Sequence, residues 1–234
     1  MASQITGMQI FTNVGNILQD TTNVRWTQTE LLNWLNAGQR TIALVKPNVT
    51  MTTQIVPLSA GTRQVLPSDI ITLDQVVRNI ASDGVTPGPA ILPIEKVLLD
   101  NSYPGWHTAA ASLTVLFYCW DDKDPTRFWV YPPQPTGTAQ QVEAVMATLP
   151  ASLTAASAVI SLDDIYEGPL TEYILYRCFL KDSEFGAANL PQAMGHWQTM
   201  LELLQVKAAA EKMEGPVQPI EAGEQVAPVP PQGK

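Results

Sequence analysis

The side chains in this sequence that could carry acid-base, metal or nucleophilic chemistry are few: two histidines, a short run of aspartates and two cysteines. His107 follows Trp106, and His196 precedes Trp197, so each histidine reads first as a packing or surface residue. With only two histidines, acid-base catalysis would have to lean on carboxylates. Asp121, Asp122 and Asp124 are the densest set, but Lys123 sits among them and Pro125 follows, which is the pattern of a solvated hairpin turn. Asp163 and Asp164 stand before a predicted helix start, where the helix dipole favours negative charge. Asp182 and Glu184 lie on a predicted helix and are read as facing water.

Cys119 and Cys178 are far apart in the chain and each lies in an apolar run, so both are expected as reduced core thiols. Their spacing from the histidines matches no zinc pattern. The sequence has no Gly-Lys-Ser or Gly-Lys-Thr phosphate loop, no Gly-x-Ser-x-Gly elbow and no His-Glu-x-x-His pair. No enzyme, cofactor or metal site is expected.

The aromatic residues Tyr103, Trp106, Trp120, Trp129 and Tyr131 admit a different chemistry, a stacking platform for a sugar ring. In a small β domain, however, such residues serve first as core and cross-strand packing. A carbohydrate-binding module therefore stands as an alternative, one that leaves the predicted helices and the C-terminal tail without a purpose.

Charge narrows the partners. The net charge of −9, from 22 acidic and 13 basic residues, disfavours a surface built to grip phosphate backbones or anionic lipid. No apolar run is long enough to span a bilayer, and the first residues lack the basic and apolar regions of a secretory signal, so no membrane association and a cytosolic site of synthesis are expected.

The elements that must position these residues divide the sequence into three. Residues 4–20 carry a helical stripe of Ile10, Phe11, Val14, Ile17 and Leu18. A second helix is announced by Thr27 and Glu30 at capping-box spacing, lined by Leu31, Leu35, Ile42 and Val45, widened by Trp34 and stopped at Lys46-Pro47. Residues 170–213 predict two more helices in a hairpin. The first carries Leu170, Tyr173, Ile174, Cys178 and Phe185, the second Met194, Trp197, Leu201, Leu204 and Ala208, with Gly186, Asn189 and Pro191 between them.

Between these helical pairs, residues 51–58 and 63–67 read as a β-hairpin around the turn 59–62. Residues 70–80 follow as a strand with an Asp83-Gly84 turn, and 91–99 are ambiguous in type. Residues 113–120 form the strongest buried-strand candidate, 127–131 its antiparallel return, and 141–148 a further strand. A soft Ala/Ser/Thr linker follows at 151–158. The expected fold is α+β: a helical bundle of two N-terminal and two C-terminal helices (1–47 and 160–213), an inserted small antiparallel β-sandwich or barrel (48–159), and an extended proline-rich arm (214–234).

Several stretches carry a family likeness: Arg25-Trp-Thr-Gln-Thr-Glu-Leu-Leu-Asn-Trp-Leu-Asn-Ala-Gly-Gln-Arg40, Leu66-Pro-Ser-Asp-Ile70, Val77-Arg-Asn79, Phe128-Trp-Val-Tyr-Pro-Pro133 and Glu172-Tyr-Ile-Leu-Tyr-Arg-Cys-Phe-Leu-Lys-Asp-Ser-Glu-Phe185. Over residues 4–210 the chain resembles the head-to-tail adaptors of short-tailed bacteriophages, of the tail tubular protein A type. That resemblance implies a structural virion protein at the head-tail junction, assembled in the host cytoplasm. It further implies a dodecameric ring that joins the portal protein to the tail nozzle protein and lines the channel through which genomic DNA passes without specific binding. A more distal tail component remains the alternative within phage tails. Trp26, Arg40, Arg177, His196 and Trp197 are the candidate helical-packing or subunit contacts, and Gln218, Pro219, Pro228, Pro230 and Pro231 the candidate portal-contacting arm. Arg177 stands out because a cation on a largely apolar helix needs a carboxylate or carbonyl partner.

Overall fold

The computed structural model describes residues 4–120, 124, 126–137, 140–182 and 189–214, without the side chains of 206–214. Among them the chain is α+β, with five α-helices and two four-stranded sheets.

Helix α1 (Gly7–Leu18) begins at a capping box: Gln9 N–H donates to the Thr6 hydroxyl at 3.4 Å while Thr6 N–H donates to Gln9 Oε1 at 2.7 Å. It buries Ile10, Phe11 and Val14 and ends where Gln19 turns left-handed. Ile17, expected on the buried stripe, is exposed on the side of the helix away from the core, while Leu18 beside it still packs against that core. Helix α2 (Gln28–Val45) is N-capped by Thr27, whose hydroxyl accepts from Glu30 N–H at 3.4 Å. The Glu30 carboxylate accepts from the Thr27 hydroxyl and from Lys181, tying α2 to a later helix. Leu31, Leu35 and Ile42 are buried as their spacing predicts, while Val45, at the last residue of the helix, is exposed.

The strands are β1 (Met51–Pro57), β2 (Gly61–Val65), β3 (Ile70–Ile80), β4 (Pro87–Ala90), β5 (Leu92–Pro93), β6 (Phe117–Trp120), β7 (Arg127–Gln134) and β8 (Gln141–Thr148). One sheet has the order β1-β8-β3-β4 and the other β2-β7-β6-β5. The expected hairpin of residues 51–67 does not form. β1 pairs antiparallel with β8 from Met51↔Ala147 to Pro57↔Gln141, and β2 pairs with β7. The chain instead crosses from one sheet to the other at Ser59, whose N–H and C=O are both held by the Gln64 amide, at 2.6 and 2.9 Å. β5 and β6 run parallel, so the sheets are not wholly antiparallel.

Val56, Leu73, Val76, Val142, Ala144 and Met146 from the first sheet meet Tyr118, Phe128 and Val130 from the second in one apolar cluster. The two sheets thus share a core as a sandwich, and neither closes into a barrel. The ambiguous segment 91–99 divides into β5 and the start of helix α3 (Lys96–Ser102), which lies over the outer face of the second sheet with Leu99 against Trp106, Cys119 and Trp129. The predicted strand 113–120 is regular only from Phe117. Before it, Val115 is buried because Asn79 holds its backbone on both sides, while Leu113 and Leu116 are exposed.

Helices α4 (Glu167–Asp182) and α5 (Asn189–Glu214) pack on each other, and α4 also contacts α1 and α2. Gly38 permits the α2–α4 approach: a Cβ there would stand 2.9 Å from a Tyr173 ring carbon. On α5 the core positions are Ala193, Met200 and Leu204, with Trp197 partly covered; Met194 is rotated out of the expected stripe and is exposed. Phe185 and Gly186, and the side chain of Ala208, lie outside the described residues.

Residues 151–160 do not behave as a soft linker. Leu153 and Ile160 are buried in the helical core, Ala156 and Ala158 pack against it, and their backbone binds the N-terminus, with Met8 N–H donating to Ala156 O at 2.6 Å and Gly7 N–H to Ala158 O at 3.1 Å.

The β3–β4 turn supplies a pH prediction. The Asp83 carboxylate accepts from the Thr86 hydroxyl and from the Thr86 and Val85 N–H groups, which hold its pKa down at about 2. A depressed folded-state pKa means that the stabilisation is full above the ordinary carboxylate value near about 4 and is lost as pH falls through about 2. The amide resonances of Val85 and Thr86 should therefore move between those limits in wild type and stay flat in Asp83→Asn.

Candidate assembly interface

The side chains singled out for chemistry are used structurally. His107 stacks on Trp106 with ring centroids 3.7 Å apart and shares a 2.8 Å hydrogen bond with Thr62 through Nδ1. Trp106 is 1% exposed and donates Nε1–H to Asp100 at 2.9 Å, so it is a core residue and no sugar platform. Asp124 accepts from the Thr126 hydroxyl at 2.6 Å and pairs with Arg127 at 3.5 Å, while Asp121, Asp122 and Lys123 lie outside the described residues. Asp163 caps a short 3-10 turn through Ile165 N–H, and Asp164 accepts from Gln4 and Ile5 N–H at 2.8 and 3.1 Å. Asp182, expected to face water, instead pairs with Arg25. Both cysteines are free and buried, and burial pushes their thiols up, to about 11 for Cys119 and about 12 for Cys178.

Among the described residues no group of three or more His, Cys, Asp or Glu is placed to hold a metal ion, and no helix is long and apolar enough to cross a membrane. A cleft of about 310 Å³ lies between β3 and β5–β6, lined by Leu73, Asp74, Pro93, Ile94, Glu95, Tyr118, Cys119 and Trp120. It holds no histidine, and its one thiol is Cys119, kept protonated by burial.

The candidate contact residues fall into two groups. Trp26, His196 and Trp197 are taken up within the subunit. Trp26 is buried, 6.0 Å from the Trp34 ring, with the Lys181 ammonium 5.5 Å from its own ring. His196 bonds Glu172 through Nδ1 at 2.7 Å and stacks on Phe179 at 5.3 Å, which clamps α5 to α4. Trp197 lies 5.2 Å from Tyr176 and 6.4 Å from Tyr173. Arg40 is exposed, and its Nε–H donates to Asn36 O of its own helix at 3.2 Å.

Arg177 departs from expectation. Among the described residues its guanidinium has no carboxylate or carbonyl partner, since its position on α4 is partly exposed and water can solvate it. Gln218, Pro219, Pro228, Pro230 and Pro231 lie outside the described residues.

Among the described residues the side chains singled out for chemistry form no catalytic constellation. Comparison with protein families gives the decisive match: the model of the SU10 adaptor protein family aligns with residues 6–220. The chain belongs to the SU10 adaptor protein family. No curated protein matches it. SU10 adaptors are a phage head-to-tail adaptor family, and membership makes the chain a structural component of the virion at the head-tail junction, associated with portal and tail components. The family is one of structural adaptors and not a known enzyme class. The matched range covers all the described helices and strands and includes Gln218 and Pro219, while Pro228, Pro230 and Pro231 lie beyond it.

Proposed function

We propose that this chain is the repeating subunit of an adaptor ring, a dodecamer, that sits beneath the portal, carries the tail nozzle and surrounds the DNA channel. The family match over residues 6–220 is the observation that carries the reading. The architecture supports it: a helical part able to pair between subunits as well as within them, and a sandwich inserted between α2 and α4 that can meet the next tail component. The net charge of −9 would discourage phosphate from sticking, so the genome slides through without specific binding. In this reading residues 1–47 and 160–213, with the segment 151–159 packed on them, form the helical body, the rest of 48–159 the β body and 214–234 an arm that reaches the portal or a neighbouring subunit.

Co-sedimentation with the portal ring encoded by the same genome tests the proposal, using the full chain and a chain ending at Met213. Saturable binding of the full chain is expected, with loss on truncation if the arm is the clasp. No binding by either form would move the protein to a more distal position in the tail.

Arg177 and the exposed Arg40 are the cations assigned to subunit contacts. Because among the described residues the Arg177 guanidinium has no carboxylate or carbonyl partner, Arg177→Ala should leave monomer stability within about 0.5 kcal/mol, as for an ordinary surface substitution. Ring formation, followed by sedimentation velocity, should weaken at least tenfold. Unchanged assembly would remove Arg177 from the interface.

A further inference from the structure

The outer face of the second sheet carries a strip that the adaptor reading does not use. Leu92, Phe117 and Tyr131 are successive cross-strand partners on β5, β6 and β7, and register partners point to the same face of a sheet. Tyr103, from the loop after α3, continues the row, 6.4 Å from Tyr131, which is itself 6.5 Å from Phe117, all near parallel at 24°. Helix α3 and Trp106 cover the neighbouring Cys119–Trp129 part of this face, but the row itself stays open: Tyr103 is 61% exposed, Leu92 is 57% exposed, and Phe117 and Tyr131 are partly exposed. The strip is uncharged and mostly aromatic.

The sequence itself supplies a ligand of matching chemistry. Five of the 20 residues after Glu214 are prolines, three of them in Ala227-Pro-Val-Pro-Pro231, and no charged residue occurs between Gln225 and Gly233. Proline has no N–H to donate, so this segment is a poor candidate to add a strand to the free edges of β1 or β5. Proline-rich segments favour the polyproline II conformation, already ordered before binding, and dock on rows of aromatic rings. At about 3.1 Å per residue, the 14 residues from Glu214 to Pro228 could reach about 40 Å, further than the width of one sandwich.

We propose that the Leu92–Phe117–Tyr131–Tyr103 strip is the docking site of residues 227–231 of the chain's own arm. The proposal rests on the arm reading above and gives the arm a definite seat on the β body.

A photoreactive benzoylphenylalanine at position 103 of the full-length chain tests it, with cross-linked peptides located by mass spectrometry. Cross-links from position 103 to residues 225–234 are expected, falling at least fivefold when Pro228, Pro230 and Pro231 are all changed to alanine. Those substitutions lie outside the described residues and leave the arm its length. Cross-links only to other segments, or a yield indifferent to the alanines, would overturn the docking, as would capture of the arm only by the same reagent at the exposed Met194 of α5. Failure here is separable from failure of the adaptor reading: portal binding without these cross-links overturns only the docking, and cross-links without portal binding overturn only the adaptor.

Discussion

Asn36→Leu is expected to destabilise the protein by about 3–5 kcal/mol, a large part of the 5–15 kcal/mol typical of a folded domain. The Asn36 amide donates to Leu153 O at 2.9 Å and accepts from Leu153 N–H at 2.8 Å, and both residues are buried. Leucine fills a similar volume but strands a backbone donor and an acceptor away from water, at about 1–3 kcal/mol each. The cost also falls where the chain re-enters the helical core after β8. Gln39 supports the same junction by accepting from Ser161 N–H at 2.7 Å. Urea denaturation reads the effect directly. A loss below about 1 kcal/mol would mean that water replaces Asn36 at Leu153.

Phe128→Ala should cost about 3–5 kcal/mol, and its effect should be local. Phe128 is fully buried between the two sheets, so truncation opens a cavity in the apolar cluster that holds them face to face. Helices α1, α2, α4 and α5 use a separate cluster built on Ile10, Phe11, Leu35, Leu170 and Ile174. If the β insertion is an independent body, native-state hydrogen exchange will show amides of β3 and β8 losing protection while those of α2 and α4 keep theirs. Equal losses in both would make the chain one cooperative unit and set aside the proposed boundaries near residues 48 and 150.

The local signals in the sequence were faithful because the forces behind them are local. Thr27 and Glu30 mark a helix start through bonds three residues apart, and Pro47 stops that helix by its missing N–H and its ring. The spacing of Leu170, Tyr173, Ile174 and Cys178 identifies the buried face of α4, since 3.6 residues per turn is fixed by the backbone. Residues 127–131 return on 117–120 across a short connection, and short connections favour antiparallel neighbours. The stretches quoted for the family likeness also lie inside the range that the SU10 adaptor family matches.

Pairings between distant segments were not legible. The β-leaning stretches at 51–58 and 63–67 announce strands, but which partner each strand takes is set by distant residues, and β1 takes β8 while β2 takes β7. The α5 stripe shifted because Met194 and Ala193 are neighbours around the helix, and only the packing of α4 decides which turns inward. The Ala/Ser/Thr composition of 151–158 resembles a linker, yet the segment packs on the helical core beside Gly7, whose missing Cβ permits the approach: Ala156 O is 3.1 Å from where that Cβ would stand. Arg177 drew attention for its charge among apolar neighbours, and the tertiary structure leaves that cation on a partly exposed position without a partner among the described residues.

By itself, then, the sequence determined the helix caps and stops, the character of each segment, the lack of a recognisable catalytic motif and the family likeness, all of which depend on residue identity within a turn or two. Only the tertiary structure decided the order of the strands, the use of Trp26, His196 and Trp197 inside the subunit, and the open row of Leu92, Phe117, Tyr131 and Tyr103, because each depends on which distant residues meet.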